Sequence, residues 1–278
     1  MKLPDYVRMA AGETIGTYLL VLFGTGAVAA AVITGAQVGL WQVAAVWGLG
    51  VALAIYATAH ISGAHLNPAV TLAFAIFRRR QFPLRRLPLY WLSQLTGGVL
   101  AGATVWWLFG NFIKRFETDN GIVRGEVGSE HSAMVFGQYF PNPDIYGTGE
   151  AALGLISPGG AMAVEAFGTG VLVLIIFAVT ERRSAWLSSK NLGPLLIGFT
   201  VAALISLFAP LTQGGWNPAR DFGPRLVSLA VGWGDIAVPG PQSSFWIYIA
   251  GPLIGGPIGA AVHELVLKRS LAEKAEKR

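Results

Sequence analysis

The chain of 278 residues has no cysteine and only four histidines. Without cysteine there is no disulfide framework, no thiol nucleophile and no cysteine-based metal site. Charged residues make up 13% of the sequence, about half the share usual in soluble domains. Neither an HExxH nor a GxSxG motif occurs, and no His, Asp and Glu group is spaced for a metal or a triad. Little material is left for an enzyme, and no cofactor is expected. Nor is a cleavable signal peptide expected. Lys2, Asp5 and Arg8 lead into a long apolar segment without a small-residue cleavage site, which reads as a first membrane span.

What is abundant is apolar. Hydrophobic residues reach 53% and mean hydropathy is +0.55. Apolar runs fall at 9–33, 40–60, 88–112, 161–180, 192–209 and 244–267, near the roughly twenty residues that cross about 30 Å of hydrocarbon. Two shorter runs, 67–77 and 217–230, follow a repeated tripeptide. Asn67-Pro68-Ala69 recurs as Asn217-Pro218-Ala219, 150 residues later. Glu13-Thr14-Ile15-Gly16-Thr17 is likewise echoed by Glu165-Ala166-Phe167-Gly168-Thr169 at an offset of 152. The chain therefore reads as two homologous halves, each of three spans and one half-helix. Three is odd, so the second half enters from the opposite side, giving an inverted repeat. Asn at the cap followed by Pro at the first helical position starts a helix. Two such starts at membrane depth are tolerable only where they line a water-filled cavity.

The sequence pI is about 9.6, but the basic residues sit at membrane edges and read as topology determinants, not a nucleic-acid surface. Lys2, Arg8, the group Arg78, Arg79, Arg80, Arg85 and Arg86, then Arg182, Arg183 and Lys190, and finally Lys268, Arg269, Lys274, Lys277 and Arg278 fall on one side. That side is expected to be cytoplasmic, with both termini. The polar stretch 113–159 is expected on the other. Gly97, Gly98 and Gly102, with Gly251, Gly255, Gly256 and Gly259, read as helix-packing surface, and Pro252 and Pro257 as kinks in the last span.

Each half-helix start carries roughly half a positive charge, so two aimed at one point repel cations. Asn67 and Asn217 can cap through their side-chain oxygens and still donate amide N–H groups to a permeant. Glu13 and Glu165 are intramembrane carboxylates that need partners. They are open to two readings, a proton-coupling pair or scaffolding.

The doubled Asn-Pro-Ala, the paired Glu and the repeat of three spans plus a half-helix resemble the aquaporin, or major intrinsic protein, family over essentially the whole chain. Within it the sequence is similar to the glycerol-facilitator branch. Asp221 follows Arg220, Phe222-Gly223-Pro224-Arg225 continues the pattern, and the segments Gly121-Ile122-Val123-Arg124-Gly125, Tyr139-Phe140-Pro141-Asn142-Pro143 and Gly232-Trp233-Gly234 match as well. The resemblance implies an all-α membrane fold of six transmembrane helices and two re-entrant half-helices. It implies one channel domain, 1–278, with halves at about 1–112 and 161–267, an external loop at 113–159 and a cytoplasmic tail at 268–278. A passive pore for glycerol and related polyols follows, with some water, urea as a further candidate, and protons and ions excluded. A homotetramer in the plasma (inner) membrane is the implied assembly.

By the same resemblance, Gly63, Ala64 and His65 and their counterparts Gln213, Gly214 and Gly215 present a ladder of backbone carbonyls. Glu13 and Glu165 hold these re-entrant loops, with Asp221 a further loop support. Trp47, Ile205, Gly214 and Arg220 form the selectivity filter, where an apolar Ile205 favours amphipathic solutes and Arg220 repels cations. Glycerol facilitators typically carry an aromatic three residues before the second Asn. Here that residue is Gly214, so either Ile205 fills the space or the constriction is wider. Trp216 is expected to pack between the half-helices or to narrow the centre, His65 to contribute its carbonyl, and His131 and His263 to be at the surface or interfacial. A water-dominant aquaporin and a coupled secondary transporter are the alternatives.

Overall fold

The computed structural model describes residues 4–181 and 191–268. The basic residues Lys2, Arg182, Arg183, Lys190, Arg269, Lys274, Lys277 and Arg278, with the tail beyond 268, lie outside the described residues. Among the described residues every regular element is helical. α1 (Asp5–Val28) runs on through a π-helical turn, α2 is Leu40–Ser62, and α3 is the short Pro68–Phe77. α4 is Leu87–Asp119, α5 is Pro158–Val179, α6 is Gly193–Thr212, α7 is the short Pro218–Ser228, and α8 is Ile247–Val262. Five of the long helices are long and apolar enough to cross a bilayer. The sixth, α4, is the longest at 33 residues and carries buried Ser93 and Gln94 inward.

The expected all-helical plan of six long helices and two half-helices is what the structure has, with one boundary moved. α4 continues to Asp119 instead of stopping near 112. Glu117 near its end is buried, and Arg124 donates to it from Nε at 3.0 Å and from Nη2, while Ser132 Oγ donates at 2.8 Å. The connecting loop thus folds back onto the helix and gives its last turns something to bury. The rest of the loop forms short helices at Glu130–Ala133, Pro143–Tyr146 and Glu150–Leu153.

Packing repeats between the halves. α1 lies against α2 and α4, while α5 lies against α6 and α8. The short helices are exchanged, α3 packing on α8 and α7 on α4. Glycine permits these approaches. A Cβ on Gly97 would fall 2.4 Å from the Thr14 carbonyl oxygen, and one on Gly255 only 1.9 Å from that of Ala166. At the exchanged contacts, a Cβ on Gly98 would meet the Ala219 carbonyl at 2.5 Å, and one on Gly256 that of Ala69 at 2.9 Å. Where α2 crosses α6, Gly48 and Gly198 face each other's carbonyls at 2.6 and 2.3 Å by the same measure. Helices this close gain dispersion contacts in a solvent that offers no hydrophobic drive for them to associate.

Gly255→Ala therefore has to push two helices apart. Overpacking of this kind costs about 1–3 kcal/mol, and thermal unfolding in detergent should show a clearly lowered midpoint. Gly26→Ala, where a Cβ meets nothing within 4 Å, should leave that midpoint unchanged or slightly raised.

Candidate functional site

The two half-helices start at the same place inside the protein. Asn67 Oδ1 accepts from the Ala69 N–H at 2.8 Å, and Asn217 Oδ1 accepts from Ala219 N–H at 3.1 Å and Arg220 N–H at 3.3 Å. Pro68 and Pro218 occupy the first helical turn, where a missing N–H is harmless. The amides then cross. Asn67 Nδ2 donates to the Trp216 carbonyl and Asn217 Nδ2 to the Leu66 carbonyl, both at 2.8 Å. Each amide has a second hydrogen left over. Both Asn side chains line a cavity of about 410 Å³ that runs past Trp47 and Arg220 at one end and Thr180, Glu181 and Asn191 at the other.

The loops leading to these caps are held by the two carboxylates. Glu13 Oε1 accepts from Ser62 Oγ at 2.7 Å and His65 N–H at 3.0 Å, and its Oε2 accepts from Leu66 N–H at 2.8 Å and Gln94 Nε2 at 2.7 Å. Glu165 Oε1 accepts from Thr212 Oγ1 at 2.7 Å and Gly215 N–H at 3.0 Å, and its Oε2 accepts from Trp216 N–H at 2.7 Å. Ser62, His65 and Leu66 correspond to Thr212, Gly215 and Trp216 at the 150-residue offset. Even the supporting tyrosines match, with Tyr90 OH donating to the Ser62 carbonyl and Tyr248 OH to that of Thr212. In a trans peptide the N–H and the preceding carbonyl point opposite ways. The carbonyls of Ala64, His65, Gly214 and Gly215 are thus turned away from the glutamates, and all four residues line the cavity. Ala64, Leu66 and Trp216 hold left-handed φ of 49°, 53° and 47°, a conformation that persists only when its surroundings impose it.

The side chains of Gln213 and Asp221 both reach the long loop. Gln213 Oε1 accepts from Tyr139 N–H at 2.6 Å, and Asp221 Oδ1 accepts from Gln138 N–H at 2.8 Å. Both side chains therefore tie the long 120–157 loop to the second re-entrant loop and its half-helix. Arg225, fully buried, completes this anchor with Nε to Asp221 Oδ2 at 2.9 Å and Nη1 to the Ala237 carbonyl at 2.9 Å. Sequence reasoning noted Arg225 only as part of a motif, although its spacing of four from Asp221 on one helix was a legible ion-pair signal.

At the Trp47 end of the cavity, Arg220 lies with Cζ 4.2 Å from the Trp47 ring centroid. Its Nη1 is buried with no acceptor among the described residues. Gly24 makes the room for Trp47, since a Cβ there would fall 2.2 Å from the indole. Ile205 is buried in the cavity wall. The surprise is Trp216. Its six-membered ring lies where a side chain on Gly214 would project, 2.7 Å from an added Cβ, and its Nε1 faces Gly168 at 2.1 Å by the same measure. Trp216, not Ile205, fills the space beside Gly214. His65 rests on an aromatic cluster, 4.6 Å from Phe74, 4.8 Å from Phe82 and 5.1 Å from Tyr90 between ring centroids. His263, expected at the surface or an interface, is only 2% exposed. It sits at the opposite end in a cluster where Arg78 Nε donates to Glu264 Oε1 at 3.0 Å and Lys268 Nζ to Glu264 Oε2 at 2.7 Å.

The family described as Major intrinsic protein matches residues 1–263. A glycerol uptake facilitator protein of Pseudomonas aeruginosa is 39% identical over 274 residues, covering 98% of this chain and 93% of that protein. That of Escherichia coli K12 is 40% identical over 261 residues, covering 93% of this chain and 88% of that protein. A propanediol uptake facilitator of Citrobacter freundii is 37% identical, with 93% of this chain and 91% of that protein covered. Among solved structures, the X-ray structure of the aquaglyceroporin from Plasmodium falciparum matches with a TM-score of 0.79 at 27% identity, covering 96% of this chain and 99% of that one.

Glu13→Gln and Glu165→Gln should each lower the yield of folded protein. A carboxamide has one accepting oxygen, so its NH₂ would face a backbone N–H, and an unsatisfied buried donor costs about 1–3 kcal/mol. The monodisperse fraction in detergent and the thermal midpoint check this. Solute flux per folded channel should keep the pH dependence of the unsubstituted protein.

Proposed function

The chain belongs to the major intrinsic protein family, and from that premise we propose that it is a passive channel for glycerol and related short polyols, with some water. It is an integral membrane protein of a channel family, not an enzyme. One observation carries the solute class: the cavity is amphipathic. Ala64, His65, Gly214 and Gly215 offer carbonyl acceptors, while Asn67, Asn217 and Arg220 offer donors. Trp47, Ile205, Leu20 and Val51 supply apolar wall. A polyol has hydroxyls for the one and C–H groups for the other. Losing water without such replacement costs about 2–7 kcal/mol per hydroxyl.

Ion exclusion follows from the same groups. Two half-helix N-termini put positive potential at the centre, and the Arg220 guanidinium adds a fixed charge in a poorly hydrated setting. A water or hydroxyl that accepts from both Asn amides is badly placed to pass a proton on. A water-dominant pore fits less well, because Ile205 adds no polar group to the filter. A coupled transporter needs a titratable acid beside the solute, whereas every donor contact of Glu13 and Glu165 is to the scaffold. We read the end that gathers Arg78, Lys268, Glu181 and Glu264 as cytoplasmic, with both termini on that side, in the plasma (inner) membrane. The assembly that fits the family is a homotetramer with one pore per protomer.

The test is stopped-flow light scattering of proteoliposomes. Glycerol should enter far faster than into protein-free vesicles, and an imposed proton or sodium gradient should not change the rate. Entry no faster than the lipid control, or uphill accumulation, would overturn the proposal. Arg220→Ala should keep substantial glycerol flux while proton or small-cation leak rises, on the order of tenfold for each 1.4 kcal/mol of barrier removed. A pH-sensitive dye trapped in the vesicles reads this out.

A further inference from the structure

The residue before each capping Asn is seated on a glycine of the Glu-x-x-Gly motif. In the first half a Cβ on Gly16 would fall 2.4 Å from Leu66 Cδ2, and in the second a Cβ on Gly168 would fall 2.1 Å from Trp216 Nε1. The two seats are equivalent in the repeat, but the occupants differ in bulk. An indole is too large for the notch that holds a leucine. The second half makes up the difference at 214, where glycine stands in place of its counterpart Ala64, and a Cβ would come within 2.7 Å of the Trp216 ring. The ring is held by shape, since no protein atom among the described residues accepts its Nε1–H. It also lines the cavity beside Asn217 and Arg220.

We propose that Trp216 is the size-determining wall of this pore and that Gly168 and Gly214 are the positioning residues that keep its indole clear of the axis. This rests on the polyol-channel reading and deepens it. The aromatic surface that residue 214 lacks is supplied from two residues along the chain, nearer the crossed Asn pair. Glycerol then passes between two indoles, Trp47 and Trp216, and longer linear polyols are held back at Trp216. Trp216→Met removes the rigid wall, whereas Gly168→Ala leaves the indole only the cavity to move into. The backbone carbonyl and N–H that residue 216 contributes to Asn67 and Glu165 survive either change.

The experiment measures glycerol, ribitol and water flux per reconstituted channel by stopped-flow light scattering. In Trp216→Met the ribitol-to-glycerol ratio should rise about threefold or more, because flux scales exponentially with the barrier at the constriction. Trp216→Phe should lie between Met and the unsubstituted protein. Gly168→Ala should lower the polyol-to-water ratio, and Trp216→Met should abolish that effect in the double variant, since the two residues couple only through the indole. Unchanged solute ratios in folded Trp216→Met and Trp216→Phe would overturn the assignment, as would a Gly168→Ala effect that persists with Met at 216. If Trp216→Met does not assemble, Trp216→Phe alone decides. If the unsubstituted protein passes no glycerol, the channel reading itself has failed, which is a separate result.

Discussion

Everything in this pore depends on two carboxylates taking up backbone N–H groups at membrane depth. Re-entrant loops expose peptide groups where lipid offers no hydrogen bonds, and such backbone survives only where it is satisfied internally or faces water. Glu13 and Glu165 each accept two consecutive backbone N–H groups and a hydroxyl. Satisfying the N–H side fixes where the carbonyl side points. It also holds Ala64, Leu66 and Trp216 in left-handed conformations that none of these side chains prefers. Once the loops are fixed, the half-helices start at the right depth and their Asn caps can cross.

The crossing makes each half dependent on the other. Asn67 bonds to a carbonyl from the second half and Asn217 to one from the first, while α3 packs on α8 and α7 on α4. Neither half has a complete lining by itself. The glycine contacts serve the same end, because a pore formed between helices needs those helices held at a fixed distance. At the mouth lined by Thr180 and Glu181, Arg78 at the end of α3 donates to Thr180 Oγ1 at 2.9 Å and to the Phe177 carbonyl at 3.0 Å. The first half-helix is thus fastened at both its ends.

The helix plan was legible because its signals are local: apolar length, Asn-Pro starts and a repeated motif at a constant offset. The end of α4 was not, because it depends on Glu117 meeting Arg124 and Ser132 from the loop. The side-chain partners of Gln213 and Asp221 were hidden for the same reason, since Tyr139 and Gln138 lie more than seventy residues away. Trp216 is the most instructive case. Its bulk was visible, and so were Gly168 and Gly214, but only the fold shows that these glycines flank one indole. A one-dimensional reading compared residue 214 with an absent aromatic, when the relevant unit is the side chain that occupies the space.

If a line of backbone carbonyls and the crossed Asn pair replaces the water a polyol gives up, a polyol in the cavity will be found bonded to those groups. A crystal structure of the protein grown with glycerol would show it. Glycerol hydroxyls should lie within hydrogen-bond distance of carbonyl oxygens among Ala64, His65, Gly214 and Gly215 or of Asn67, Asn217 and Arg220, with the carbon backbone against Trp47 and Trp216. Glycerol found only outside this cavity, or inside it with its hydroxyls on the apolar wall, would mean that these groups do not replace its water.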